Sequence, residues 1–221
     1  MKTLYADNNF NQVGFFPTPE EQDAFPRTVG LFTNLAPTYF SGARKGLACS
    51  LAYLTSVSGS LSFNSKLSPL TASLLQQLLP SREIFIDTAC IEFKPIDMQL
   101  GQSTMHVKAV DSLTEAANFS YHLGRQDSFG QTTLAVLKND GVSGFISMPR
   151  RRIVASNLWM SSELEYPLDT FLKTCSIALM YSEDLVANRI VLHNQADGVS
   201  KRDINLITEL FYSVGISLEI K

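Results

Sequence analysis

Residues 40–60 read FSGARKGLACSLAYLTSVSGS, and the fold predicted for this chain depends mainly on them. Apolar side chains recur in this segment at spacings of three and four residues, at Phe40, Ala43, Leu47, Leu51, Leu54 and Val57. This spacing predicts one apolar stripe of a helix. The other faces of the helix are only weakly polar, because they carry Ala48, Cys49, Ala52 and Tyr53. We therefore expect a helix that is enclosed on several sides.

The residues after this helix alternate between apolar and polar side chains, which predicts strands. A second, shorter helix over 70–79 comes first, and the expected strands are 83–93, 104–113, 116–124, 131–138 and 142–148. The Asp140-Gly141 pair between the last two strands favours a tight hairpin turn. Four or five long antiparallel strands that follow one buried helix indicate an α+β fold in which a sheet wraps the helix.

The two ends of the chain differ from this central part, so three regions are predicted. Residues 1–27 are polar and contain three prolines, which predicts an irregular lead-in with at most short local structure. Residues 28–152 form the main domain. Residues 153–221 are predicted to be a C-terminal α/β extension packed on or beside the sheet, with helices near 168–180 and 200–214 and short strands at 189–193 and 216–220. Ser200 and Asp203 have the spacing of a helix N-terminal capping box.

Three segments of the chain resemble the thioesterase-like branch of the hotdog-fold superfamily. They are 39–43 (YFSGA), 84–96 (IFIDTACIEFKPI) and 144–149 (GFISMP). Members of that branch have a Phe-x-Gly start to an apolar helix, a strand of the form I-x-F-x-x-P and a similar last strand. The resemblance covers about residues 28–150 and implies a hotdog fold, with this chain as a divergent member.

The resemblance also implies where an acyl thioester would bind. In such enzymes two sheets, usually from two protomers, enclose the substrate, which implies a homodimer. Backbone amides at the helix N-terminus polarise the thioester carbonyl, and the matching residues here are Ser41, Gly42 and Ala43. A second interpretation of Gly42 stays open, namely that it only allows a buried helix to begin against the sheet.

A hydrolase of this superfamily also needs a base or nucleophile, commonly an Asp or Glu on or near the central helix. The sequence has no Asp or Glu from Ala24 through Arg82. Asp87 is the best catalytic candidate, because it shares a predicted strand face with Phe85 and Ala89. The sequence therefore favours a non-catalytic hotdog protein that acts as an adaptor or chaperone-like subunit and binds protein partners through its C-terminal extension. The alternative is an acyl-CoA or acyl-carrier thioesterase with an atypical active site.

Composition and charge argue against several other classes of protein. The 221 residues include 18 Lys and Arg against 21 Asp and Glu, so the net charge of −3 does not favour nucleic-acid binding. No apolar run approaches the length of about 20 residues that spans a bilayer. Cys49, Cys90 and Cys175 lie far apart among apolar neighbours, so we expect buried thiols in a reducing cytoplasm. The three histidines lack the spacing of metal ligands, and we expect no cofactor.

Overall fold

The structure is a computed structural model that describes most of the chain. The described residues are 1–8, 12–26, 28–40, 42–80, 83–94, 101–125, 130–138, 146–158, 160, 167–193 and 196–221. The side chains of residues 8, 120–125 and 146 are not part of this description.

Helices and strands follow one another along the whole described chain. The helices are α1 (Gly42–Ala52), α2 (Pro69–Leu78), α3 (Leu113–Arg125), α4 (Pro167–Ser182) and α5 (Lys201–Tyr212). The strands of the N-terminal half are β1 (Lys2–Asn8), β2 (Gln12–Thr18), β3 (Leu31–Thr33), β4 (Ser60–Phe63) and β5 (Phe85–Ile86). Those of the C-terminal half are β6 (Ser103–Val110), β7 (Gln131–Lys138), β8 (Ile146–Met148), β9 (Arg151–Ser156), β10 (Ala187–Leu192) and β11 (Ser217–Ile220).

The C-terminal half forms a parallel block of five strands in the order β9-β7-β6-β10-β11. The chain starts in the middle with β6, moves outward to β7 and β9, and then returns to the other side of β6 with β10 and β11. Strand order therefore reverses between β6 and β10, as it does in doubly wound α/β sheets. Ligands of such sheets bind outside the carboxyl ends of the strands at this switch point.

The N-terminal half extends the same sheet beyond β9. β3 pairs antiparallel with β9, β2 and β1 continue the antiparallel order, and β4 and β5 then run parallel to β1. β8 lies off this path and pairs antiparallel with β9. The sheet is thus mixed: its longest parallel block comes from the C-terminal half of the chain, and the N-terminal half adds antiparallel pairs together with the parallel pairs β1–β4 and β4–β5.

The helices divide between the two faces of the sheet. Neighbouring residues of β7 show the division. Ala135 packs in a small cluster with Ala116 of α3. Leu134 belongs to the main core, which also contains residues of α1, α2, α4 and α5. α4 is buried from Phe171 to Ser182 and packs against α1. The interior of the protein is therefore this α1–α4 pair together with one face of the sheet.

The α+β class predicted from the sequence is confirmed in this mixed arrangement, but the hotdog arrangement is not. β6 and β7 are parallel, whereas a hotdog sheet requires an antiparallel meander here. α1 is deeply buried as predicted, with Leu47 and Leu51 at most 1 % exposed. Its main neighbours in the described part of the chain are α4, β1 and β4, and the described strands between residues 84 and 148 are not among these main neighbours.

Two predicted strands are wrong for local reasons. Residues 116–124 lie in α3, because Ser112 accepts a hydrogen bond from the Glu115 amide and so caps a helix. A helical crossover of this kind is what two parallel strands need. The predicted strand 83–93 is limited to β5, because the Asp87 carboxylate accepts a hydrogen bond from the Ala89 amide and turns the chain into a short 3-10 helix, Thr88–Cys90.

The two predicted end regions belong to the sheet as well. Residues 2–8 and 12–18 form a β-hairpin where an irregular lead-in was predicted. The predicted boundary at residue 152 falls inside β9, and the residues beyond it add β10 and β11 to the sheet. The predicted hairpin turn at Asp140-Gly141 lies outside the described residues. Ser200 caps α5 as predicted, by accepting a hydrogen bond from the Asp203 amide.

Candidate functional site

The residues predicted to hold a thioester carbonyl lie at the start of α1. Gly42 has a φ of +53°, a left-handed conformation that favours glycine, and its carbonyl accepts a hydrogen bond from the Ser65 hydroxyl. Ala43 is buried, and Ser41 lies outside the described residues. Backbone geometry thus accounts for Gly42 as the residue that lets the helix begin.

Asp87, the predicted catalytic carboxylate, is exposed and caps the 3-10 helix that follows β5. One of its oxygens accepts the Ala89 amide at 2.9 Å. Lys66 donates a hydrogen bond to the carbonyl of the same Ala89. No hydrogen bond or ion pair within the described part of the chain joins Asp87 to Gly42 or Ala43.

A cleft of about 400 Å³ lies where several helix ends meet. Its walls come from the first turn of α4, the loop before α5, the end of α2, the 3-10 helix Leu54–Ser56 and the segment before β3. Its described lining residues are Ala24, Phe25, Thr55, Ser56, Leu79, Pro167, Leu168, Asp169, Lys173 and Gly198. We call it the Asp169 cleft. Because α4 and α5 follow β9 and β10, the cleft lies at the carboxyl edge of the parallel strands.

The polar end of the Asp169 cleft is a compact cluster of three side chains. The Asp169 carboxylate accepts hydrogen bonds from the Thr55 hydroxyl on one oxygen and from the Lys173 ammonium, at 2.7 Å, on the other. The Lys173 side chain is only 3 % exposed, and its ammonium also lies 5.5 Å from the centre of the Tyr53 ring. A buried cation is stable only with partners such as the Asp169 carboxylate and the Tyr53 ring. The cluster is therefore a fixed charge pair, and it lies beside a mostly apolar wall.

A second polar cluster lies at the switch point, on the face of the sheet that α3 covers. His106 of β6 and His193, which follows β10, place Nδ1 and Nε2 at 3.0 Å from one another. The other ring nitrogen of His106 bonds to Gln131 Oε1, and the Phe119 ring contacts His193 edge-on. His106 is buried, with 8 % exposure.

The two imidazole rings are shifted toward their neutral forms. Burial is the main cause that lowers the pKa of His106, and the nearby charges of Lys221 and Arg189 lower it further against the opposite effects of Gln131 and Glu219. Burial also lowers the pKa of His193, followed by the effects of His106, Lys221 and Lys108, while Glu219 acts in the opposite direction. At neutral pH the pair is therefore uncharged.

The three cysteines do not provide a reactive thiol. The thiols of Cys49, Cys90 and Cys175 are buried as predicted, and burial raises the pKa of Cys49 to about 12 and raises those of Cys90 and Cys175 as well. Such thiols are poor nucleophiles. Within the described ranges, no group of three or more His, Cys, Asp or Glu residues could hold a metal ion, and no helix is long and apolar enough to cross a bilayer.

Comparison with known proteins adds no family to this description. No protein-family model matches the chain, and comparisons with curated protein sequences and with solved structures gave no match either. The function is therefore inferred from the geometry of the two clusters.

Sequence reasoning missed both clusters. Asp169 and Lys173 have the spacing of an ion pair on a helix, but nothing in the sequence shows that they are buried or that Thr55 joins them. His106 and His193 are 87 positions apart, and only the return of the chain to β10 brings them together.

Proposed function

We propose that this protein binds a small amphipathic molecule in the Asp169 cleft. The observation that supports the proposal is a cleft of about 400 Å³ with an apolar wall and one fixed polar cluster, beside the start of α4 and the loop that precedes α5. Ligand pockets typically have volumes of about 300–1,000 Å³, with mainly apolar walls and a few polar groups. This role differs from the adaptor role favoured by the sequence, and the described lining of the cleft includes neither Gly42 nor Ala43, which the resemblance implied for binding.

The charges around the cleft favour a neutral or anionic head group on the ligand. Lys173 compensates the charge of Asp169. α4 begins at Pro167, in the wall of the cleft, and α5 begins three residues after Gly198. Helix N-termini carry partial positive charge from their free amides. The apolar part of the ligand would lie against Phe25, Leu79 and Leu168, of which Phe25 is 85 % exposed without a ligand.

Three probes that share a heptyl tail and differ in the head group test this proposal. We expect octanoate and 1-heptanol to shift the backbone amide signals of Thr55, Ser56, Leu168 and Gly198 in ¹H–¹⁵N spectra of the protein, and heptylamine to shift them at least several-fold less at equal concentration. The heptyl tail is common to all three, so the difference isolates the head group. Equal shifts for the three probes would refute the charge argument, and shifts spread over unrelated surfaces would refute the cleft.

The adaptor role and its alternative, thioester hydrolysis, stay predictions. Hydrolysis has a direct check, because octanoyl-CoA carries the same acyl chain as the octanoate probe. Without a base positioned at the start of α1 we expect its hydrolysis to remain near background, since general-base catalysis alone contributes a factor of about 10²–10⁴. Turnover that Asp87→Asn abolishes would support the enzyme.

A further inference from the structure

A groove of about 510 Å³ crosses the amino ends of four parallel strands, β9, β7, β6 and β10. Its described lining includes Gln102 and Ser103 at the start of β6, Gln131 at the start of β7, Arg150 just before β9 and Val186 just before β10. We call it the Arg150 groove. It shares no described lining residue with the Asp169 cleft, so the two are separate places on the protein.

The backbone carbonyls in the walls of the groove already accept hydrogen bonds. Residues at the starts of β6 and β7 donate to the carbonyls of Gly130, Arg150, Leu185 and Val186. Val186 has a φ of +50°, which is rare for a β-branched residue. In this conformation its carbonyl accepts the amides of both Gln102 and Ser103. The groups that remain for a ligand are therefore mainly side-chain donors.

Gln131 brings one of these donors to the groove in a fixed orientation. Its Oε1 faces His106 Nε2, and an amide oxygen can only accept, so His106 donates this hydrogen bond. His106 is buried and is held in turn by His193. Within the described part of the chain, Gln131 Nε2 has no hydrogen-bond partner. Its two N–H groups therefore remain for a ligand, and little side-chain freedom is lost when they bind one.

Arg150 is the one charged residue in the described lining of the groove, and it is exposed. It has a further interaction within the protein, but a guanidinium carries five N–H donors. The fork of these donors matches the two oxygens of a carboxylate. A phosphate monoester carries almost two negative charges at neutral pH, which one cation compensates only in part. The described lining thus fits a carboxylate better than a phosphate.

We propose that the Arg150 groove binds a small molecule through a carboxylate group. Arg150 holds the carboxylate oxygens, and Gln131 Nε2 donates a hydrogen bond to one of them. The rest of the ligand lies along Pro149 and Val186, which give the groove its apolar surface. This site uses residues that the Asp169 cleft does not contain, so the proposal is independent of the function proposed for that cleft.

Butyrate and its uncharged analogue butyramide test the site in ¹H–¹⁵N spectra at constant ionic strength. We expect butyrate to shift the backbone amide signals of Gln102, Gly130 and Val186 and the side-chain amide signals of Gln131, and butyramide to shift them several-fold less. Inorganic phosphate should bind more weakly than butyrate. Equal shifts from butyrate and butyramide, or tighter binding of phosphate, would overturn the proposal. Butyrate shifts confined to the Asp169 cleft would overturn it too, without harm to the function proposed for the cleft.

Two neighbouring arginines provide a matched pair of variants. Arg150→Gln should weaken butyrate binding by about tenfold or more, because it removes a charged hydrogen-bond partner. Arg150→Lys keeps the charge without the fork and should weaken binding less. Arg151→Gln removes the same charge outside the described lining and should change the affinity by less than about twofold, as expected for a screened surface charge. Butyrate that binds Arg150→Gln as tightly as Arg151→Gln would overturn the proposal.

Gln131→Glu tests the second donor. This variant keeps an acceptor for His106 but replaces the N–H groups by a carboxylate oxygen, which repels the carboxylate of the ligand. We expect no measurable butyrate binding to Gln131→Glu and unchanged binding of octanoate to the Asp169 cleft, which shows that the variant is folded. Butyrate affinity equal to that of the natural chain would exclude Gln131 from the site and overturn the proposal.

Discussion

At the scale of single residues, the Asp169–Lys173 ion pair is the interaction that we expect to be most sensitive to substitution. The side chain of Lys173 is 3 % exposed and that of Asp169 is 15 % exposed. Both residues lie in α4 beside the apolar interior. Because the Lys173 side chain is almost completely buried, removing Asp169 leaves a desolvated charge with less compensation, and the pair contributes mainly by preventing this.

We predict that Asp169→Asn lowers the free energy of unfolding by about 3 kcal/mol, since breaking a buried pair from one side typically costs about 3–5 kcal/mol. The double variant Asp169→Leu with Lys173→Met should lose less free energy of unfolding than Asp169→Asn, because it leaves no charge of the pair in the interior. Lys138→Gln is the control, since it breaks a surface pair with the exposed Asp111 and should cost about 1 kcal/mol or less. Urea unfolding measures all of them, and equal costs for Asp169→Asn and Lys138→Gln would contradict the prediction.

Individual residue roles were only partly predictable from the sequence. Burial of Leu51 and of the three cysteines followed from their apolar neighbours and spacing. The role of Asp87 was not predictable, because a carboxylate in an alternating pattern fits a strand face and a turn cap equally well. His106 shows the same limit. Alternation along the strand indicates which face of β6 carries His106, but it does not indicate that α3 covers this face.

At the scale of elements, α1 is the helix whose packing can be tested most simply. Leu51 is 1 % exposed and Leu70, at the start of α2, is 61 % exposed. We predict that Leu51→Ala lowers the free energy of unfolding by about 2–5 kcal/mol, because it removes buried methyl groups and leaves a cavity. Leu70→Ala removes the same atoms from the surface and should cost less than about 0.5 kcal/mol. Unfolding titrations that gave the two variants similar stability would contradict the burial of α1.

Elements with strong periodicity were predicted well, and those with competing signals were not. α2, α4 and α5 agree with prediction, and so do β6 and β7, because each has one clear apolar period. α3 was taken for a strand because Ala117, Phe119, Tyr121 and Leu123 alternate, whereas its helical state depends on the Ser112 cap and on its role as a crossover. The N-terminal hairpin was missed because prolines within and after β2 suggested irregular chain.

At the scale of the whole molecule, the residues after β9 are part of the interior. β10 lies between β6 and β11, and the buried α4 packs against α1. We predict that a chain ending at Ser156 shows no cooperative unfolding transition, because β6 loses a neighbour and α1 loses its main packing partner. A chain lacking only residues 217–221 loses an edge strand and should still unfold cooperatively, at lower denaturant. A cooperative transition in the shorter chain would show that the N-terminal part folds alone.

The overall topology could not be derived from the sequence, although its α+β class could. Parallel pairing joins β6 to β10 across about 80 residues, and no local pattern specifies which of several strands lies beside β6. The Asp169 cleft depends on the same long-range assembly, since its lining residues extend from Ala24 to Gly198. Local sequence patterns predict the individual helices and strands, whereas the cleft forms only when these helices and strands pack together.

Occupation of the Asp169 cleft by an amphipathic ligand is tested most directly by octanoate affinity in four forms of the protein. We predict that Ser56→Trp, which fills the cleft, weakens binding at least tenfold relative to the natural chain. Phe25→Ala should weaken it about fivefold, or about 1 kcal/mol. Phe93→Ala should leave it unchanged, because Phe93 is 80 % exposed and lies outside the cleft lining. Octanoate that binds Ser56→Trp as tightly as the natural chain would contradict the account.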